Sequence, residues 1–284
     1  MKVIIIGADG QLGRSLNKIK HKFDCDTEFL NEDMLDITHE EEIEDYLCKS
    51  GGDVLINCAA YTAVDKAEEE YDKAYMINSR AVGWLAKYTR KYNLKFIHIS
   101  TDYVFDGTCN VPYNENHLTN PVSAYGKTKL SGEKQALENN EETKIIRTSW
   151  LYSEFMANFV KTMIRLGAEK SFVNVVFDQV GTPTFATDLA EIIVKFVKTM
   201  PDGNIFHFSN EGVCSWYDFA KKIMEMTGSE CRVIPVLSKD YPSAVKRPNY
   251  SVLDKEKIKQ ELDCNIRHWE DALRECIDII KQGK

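Results

Sequence analysis

Five short runs rich in β-branched residues punctuate the first half of the chain, at residues 2–6, 27–30, 53–58, 95–100 and 144–148. Each is nearly continuous in apolar residues instead of alternating, which is the pattern of strands covered on both faces in a parallel sheet with crossover helices. Between them, residues 11–22, 40–50, 71–92 and 123–140 carry helical spacing, as in Ala81, Leu85 and Tyr88. This alternation predicts an α/β fold built on a doubly wound parallel sheet of the Rossmann type.

After Trp150 the rhythm is less regular. A helix over 157–167, a strand over 172–177, a helix over 187–198 and a strand over 204–208 come first. Helices over 216–227 and 268–281 then flank a strand over 232–235 and a loop over 238–249 that contains Pro242 and Pro248. The pattern predicts a dinucleotide-binding domain from 1–150 plus about 178–210, with a smaller, discontinuous C-terminal substrate domain from about 151–177 plus 211–284. The acidic run Glu40, Glu41, Glu42 and Glu44 is expected to be a solvated helix face.

Composition narrows the function. The chain has 284 residues, 43% hydrophobic and 28% charged, as in folded globular proteins. Its formal charge of -8, from 36 Lys and Arg against 44 Asp and Glu, disfavours nucleic acid or an anionic membrane as the main partner. The eight cysteines are scattered singly, without metal or redox spacing, so no metal ligand is assigned. The apolar run before Gly7 is too short for a signal or membrane segment, and a reduced, cytoplasmic protein is expected.

Gly7, Gly10 and Gly13 form G-x-x-G-x-x-G directly after the first strand and at the opening of a helix. In that context glycines permit a tight turn, let backbone N–H groups approach a pyrophosphate, and let the helix pack close to the sheet. After the second strand a fingerprint expects an acid for a ribose 2′-hydroxyl or a cation for a 2′-phosphate. Here Glu32 is available, and no Lys or Arg occurs between Phe23 and Cys48, which tilts the choice between NADH and NADPH mildly to NADH. Arg14 and Lys18 on the first helix are the alternative sources of charge.

Tyr125 and Lys129 stand four residues apart at the start of a helix, on one face. A phenol titrates near pH 10, and a neighbouring ammonium is expected to lower that value towards the working range of a proton donor. Lys129 would also hydrogen-bond the nicotinamide ribose. Ser100 and Thr101 end a buried strand, at the sheet edge where ligands bind, and Thr101 is placed to hydrogen-bond a substrate carbonyl. Ala59 and Ala60 would let the backbone pass under the cofactor, and Asn78 would either bridge to a water behind Lys129 or be an ordinary helix asparagine.

The segments GADGQLG (7–13), LDIT (35–38), NCAAYTAVDKAE (57–68), STDYVFDG (100–107), PVSAYGKTKLSGE (121–133), RTSWLY (147–152), DQVGTPT (178–184) and KRPNYSVLD (246–254) resemble the dTDP-4-dehydrorhamnose reductases of the extended short-chain dehydrogenase/reductase superfamily. The resemblance implies reduction of the 4-keto group of dTDP-4-dehydro-6-deoxy-L-mannose to dTDP-L-rhamnose. Tyr125 would be the proton donor, Lys129 its partner, and Thr101 the hydroxyl on the keto oxygen. Gly10, Gln11 and Leu12 would line the pyrophosphate, Asp36 and Ile37 the adenine, and Ala60, Tyr61, Thr62 and Ile99 the remaining cofactor. Thr101, Asp102 and Trp150 would contact the sugar nucleotide. The family uses NADH or NADPH, and some members form a homodimer through Mg2+, for which this sequence places no ligands. The competing readings are another dTDP-sugar reductase or epimerase of the same fold, and a dinucleotide-sensing regulatory subunit.

Overall fold

The computed structural model describes residues 1–241 and 245–283. Six parallel strands, β1 (Lys2–Ile6), β2 (Asp26–Leu30), β3 (Val54–Asn57), β4 (Lys95–Thr101), β5 (Lys144–Thr148) and β6 (Ile205–Phe208), form one sheet. Their spatial order is β6-β5-β4-β3-β1-β2. The chain moves from β1 outward to β2, then returns past β1 to β3. That reversal opens a crevice beyond the carboxyl ends of β1 and β3, where doubly wound sheets bind ligands.

The unbroken apolar runs follow from burial on both faces. Val3 and Ile5 of β1 join one core with Leu12, Leu16, Leu189, Ile193 and Phe196, while Ile4 and Ile6 join a second with Ile43, Leu47, Leu55 and Leu85. Successive side chains of a strand point to opposite faces, so both sets must be apolar when helices cover both. A third core gathers Tyr152, Val160, Met163, Phe185, Phe219 and Trp269, away from the main sheet. The strand Phe172–Val176 lies parallel to Arg232–Val236 beside it.

Several predicted bounds shift. The first helix ends at Lys18 and a 3-10 turn, Lys20–Phe23, follows. The long helix expected over 71–92 is an α-helix, Tyr71–Tyr75, a π-helical turn, Met76–Arg80, and a second α-helix, Ala81–Lys91. The acidic helix Glu40–Ser50 is not a purely solvated face: Glu40 pairs with Lys87 at 2.8 Å and Glu44 with Lys91 at 2.5 Å. Within the loop expected over 238–249, residues 242–244, including Pro242, lie outside the described residues, as does residue 284. Ser238–Asp240 forms a 3-10 turn.

Candidate active site

Gly7 has φ +84°, and a Cβ there would lie 2.6 Å from the Ala59 nitrogen. Glycine is therefore what lets the first loop touch the loop after β3. A Cβ on Gly13 would overlap the Gly7 carbonyl oxygen, so the helix Gln11–Lys18 sits as close to its own loop as its backbone allows. Gly10 caps that helix without a side chain. The first N–H groups of a helix have no intrahelical acceptor and favour an anion, so loop and helix start suit a pyrophosphate.

The residues expected at the pyrophosphate divide their work. Leu12 is 4% exposed and belongs to the core, which leaves only its backbone for a ligand. The Gln11 side chain turns away: its Oε1 accepts from Ser153 Oγ at 2.9 Å and Asn158 Nδ2 at 3.0 Å, joining the glycine loop to the segment after β5. The Leu30 carbonyl accepts from Gly7 N and Ala8 N, both at 3.0 Å, so the turn after β2 lies beside the glycine loop. Glu32 is exposed on that turn. Asp36 accepts from Thr38 N at 2.8 Å, and Ile37 is buried in the second core. Arg14 Nε donates to the Asp9 carbonyl at 2.9 Å, and Lys18 pairs with Glu154 at 2.6 Å.

Beyond β3, Asn57 Oδ1 accepts from Ala59 N at 3.0 Å and turns the chain into the small-residue stretch Ala59, Ala60. Tyr61 and Thr62 follow; the Tyr61 hydroxyl donates to Glu70 at 3.1 Å, and Thr62 is exposed. Asn78, offered by the sequence as a water bridge behind Lys129 or as an ordinary helix asparagine, holds the loop after β3. It lies in the π-helical turn, bonds the Tyr61 backbone, and donates to Thr128 Oγ1 at 3.1 Å. The extra residue of a π turn re-aims a side chain, and such turns recur at functional sites.

The helix Ala124–Asn139 starts under two caps: Ser123 Oγ accepts from Gly126 N at 3.1 Å, and Glu68 Oε1 accepts from Ala124 N at 2.8 Å. Its first turn presents Tyr125 towards the end of β4, where the Thr101 side chain favours the charged form of the phenol. Tyr103 packs edge-on against the Tyr125 ring, with centroids 5.5 Å apart. One turn on, Lys129 is 2% exposed, and its Nζ donates to the Ile99 carbonyl at 2.7 Å and lies 3.2 Å from His98 Nε2. Burial pulls the amine down to about 8, against the charge of Glu133 and Cys58. Tyr125 departs from the expectation that Lys129 would lower it. Burial raises the phenol to about 12, opposed by the Thr101 side chain. Lys129 is turned onto β4, so desolvation dominates.

Glu133 and Arg147, which carried no role in the sequence motifs, anchor this helix. Arg147 forms two hydrogen bonds to Glu133, Nε to Oε1 at 2.9 Å and a second nitrogen to Oε2 at 2.6 Å, with both side chains 3% exposed. Ser100 Oγ donates to the same carboxylate. A paired Glu and Arg late in the helix and in the next strand is the only trace sequence offers of this bridge.

Asp102 lies beside Thr101, whose hydroxyl donates to its Oδ1 at 3.1 Å. Its Oδ2 has no hydrogen-bond partner among the described residues, and burial lifts the carboxyl to about 7 against bonds from Ser251 and Thr101. Trp150 has φ +47°, a strained value for a bulky residue, and stacks on Trp216 at 3.6 Å with planes 8° apart. Trp216, at the start of the helix Trp216–Thr227, lies outside every motif and was not a candidate from sequence. Thr101, Asp102, Tyr125 and Lys129 thus meet at the carboxyl edge of β4, and the glycine loop and residues 57–62 meet across β1 and β3.

Among the described residues, no group of three or more His, Cys, Asp or Glu side chains is placed to hold a metal ion, and none is assigned to magnesium. No helix among them is long and apolar enough to cross a membrane.

A family model described as the RmlD substrate binding domain matches residues 1–282. The spore coat polysaccharide biosynthesis protein SpsK of Bacillus subtilis (strain 168) is 39% identical over 274 residues, covering 96% of this chain and 96% of that protein. A solved structure of a dTDP-4-dehydrorhamnose reductase from Clostridium acetobutylicum is 42% identical with a TM-score of 0.95, covering 99% of this chain and 100% of that one. Another from Bacillus anthracis, in complex with NADP, is 38% identical with a TM-score of 0.95, covering 98% and 99%. These likenesses run through the sheet and the third core alike, and the chain belongs to the dTDP-4-dehydrorhamnose reductase family of nicotinamide-dependent oxidoreductases.

Proposed function

We propose that the chain reduces the C4 keto group of dTDP-4-dehydro-6-deoxy-L-mannose to give dTDP-L-rhamnose. The observation that carries this reading is the convergence of Tyr125, at the start of its helix, with Thr101 at the end of β4, beside the buried Lys129 amine. NADH or NADPH, seated on the glycine loop and the stretch Ala59–Thr62, would supply the hydride. The family match and the NADP held by the Bacillus anthracis relative support a nicotinamide dinucleotide here.

In this reading Thr101 and Tyr125 both donate to the keto oxygen, and Tyr125 gives up its phenolic proton as C4 receives the hydride. A phenol raised to about 12 is fully protonated at neutral pH, as a general acid must be. The phenolate left behind is stabilised by a charged Lys129 and regains its proton from solvent. Trp150, Asp102 and the third core, with the segments of about 151–177 and 211–284, form the sugar-nucleotide side. The carboxylates of Glu32 and Asp33 beside the glycine loop favour a free ribose 2′-hydroxyl and hence NADH.

The deciding experiment mixes the pure chain with the dTDP-4-keto sugar and NADH or NADPH. Stoichiometric loss of the reduced cofactor with formation of dTDP-L-rhamnose is the expected result. Conversion without cofactor loss points to an epimerase, and dinucleotide binding without turnover to a regulatory subunit; either overturns the reading.

A further inference from the structure

Behind Lys129 lies a second layer of polar side chains, His98 on β4 and Asn57 at the end of β3, both completely buried. Asn57 fixes the polarity of the group. Its Oδ1 accepts from the backbone N–H of Ala59 at 3.0 Å, and a backbone amide can only donate. The amide nitrogen is therefore the atom that faces His98 Nδ1 at 3.2 Å, and it too can only donate. Nδ1 must then present its lone pair, which leaves the proton of a neutral imidazole on Nε2. That proton points at Lys129 Nζ, 3.2 Å away.

An ammonium has three donors and no acceptor. Opposite a ring N–H, a charged Lys129 would set donor against donor, whereas a neutral amine accepts from Nε2 and still donates to the Ile99 carbonyl. We propose that His98 is a positioning residue that tunes the protonation of Lys129: locked by Asn57 as the Nε2–H tautomer, it opposes the ammonium and so sets the pH above which the charged lysine gives way to the neutral amine. The proposal rests on Lys129 serving as the partner of Tyr125. Two other titratable groups act on Lys129 among the described residues, Glu133 on its own helix and Cys58 after β3, and both favour the charge. Burial holds His98 itself well below the usual imidazole range, with the Lys129 charge adding to the effect, so the ring stays neutral throughout. The polarity of Asn57 thus reaches the reaction centre through two hydrogen bonds, without Asn57 touching substrate or cofactor.

The tautomer is read directly by long-range proton–nitrogen NMR of the histidine rings in the intact chain, and Lys129 is titrated by the carbon shift of its Cε. Nε2 of His98 should carry the proton and Nδ1 none; a proton on Nδ1 overturns the proposal. His98→Phe removes the opposing donor and should move the Lys129 titration, and with it the high-pH limb of kcat/KM, upward by roughly one pH unit, a tenfold gain in proton affinity. Asn57→Asp keeps an acceptor for Ala59 but offers a second oxygen to Nδ1. It should draw the ring proton to that side and shift the same limb in the same direction. A purely structural role would lower kcat at every pH and leave the limb and the Cε titration in place, which overturns the proposal. The NMR arms require no turnover, so failure of the reductase assay tells against the reaction and leaves this test standing.

Discussion

Asn78 hydrogen-bonds both backbone groups of Tyr61, accepting from its N–H at 2.9 Å and donating to its carbonyl at 3.1 Å. One side-chain amide, aimed by a π-helical turn, thus fixes the loop that follows β3, and through Thr128 it ties that loop to the helix of Tyr125 and Lys129. Asn78→Ala should cost about 1–3 kcal/mol of stability, the penalty for leaving buried polar groups unpaired. It should also weaken dinucleotide binding, because the freed loop must be ordered again on binding. Chemical denaturation and dinucleotide titration check both effects; undisturbed binding would mean that the clamp does not organise the cofactor site.

The contact beneath that clamp is equally tight. A Cβ on Gly132 would overlap the Asn78 carbonyl oxygen, which is main chain and has no rotamer to change. Gly132→Ala should destabilise the protein by about 1–3 kcal/mol despite the better helix propensity of alanine. A stabilised variant in thermal unfolding would show that the two helices can separate at little cost.

Removing the Tyr125 hydroxyl tests the proton donor. Tyr125→Phe should lower turnover about a hundredfold to ten-thousandfold, as loss of a general acid typically does. Dinucleotide affinity should stay within a few fold, since the ring and its packing on Tyr103 remain. Steady-state kinetics and dinucleotide titration separate the two, and wild-type turnover in this variant would remove Tyr125 from the mechanism.

Asp102 makes stability depend on pH. Its carboxyl is raised from the usual 3.8 to about 7, chiefly by burial. The folded chain therefore binds a proton that the unfolded chain releases, and this contribution to stability is complete at low pH and is lost as pH rises towards 7. Asp102→Asn should gain stability relative to the wild type between pH 4 and pH 7, by at most about 4 kcal/mol. Denaturation midpoints at several pH values check this; a constant difference would show that Asp102 titrates normally.

Charge at the end of β2 predicts the choice of cofactor. The nearest carboxylates, Glu32 and Asp33, are exposed beside the glycine loop, and both cations of the first helix are engaged, Arg14 with Asp9 and Lys18 with Glu154. NADPH should bind more weakly than NADH by about 1–3 kcal/mol, or five to a hundredfold. Asn31→Arg should narrow the gap by offering a planar fork to the 2′-phosphate. Michaelis constants for both cofactors decide it, and equal or better use of NADPH would mean that Arg14 or Lys18 leaves its carboxylate for the phosphate.

Local pattern was enough for the sheet and for the motif residues. The parallel strands were visible because burial on both faces demands continuous apolar runs, and Gly7 and Gly13 because only glycine allows those backbones to touch. That Tyr125 and Lys129 share one helix was visible because the spacing of four residues makes about one helical turn. Groups joined across distant elements were not legible. The Glu133–Arg147 bridge, the stack of Trp150 on Trp216 and the Asn57–His98–Lys129 chain each join residues with no fixed spacing. The protonation of the site belongs with them. Sequence offered an ammonium close enough to acidify a phenol, but folding half-buries Tyr125, buries Lys129 and turns it onto β4, and the cost of desolvating a charge then outweighs the attraction that the spacing alone implied.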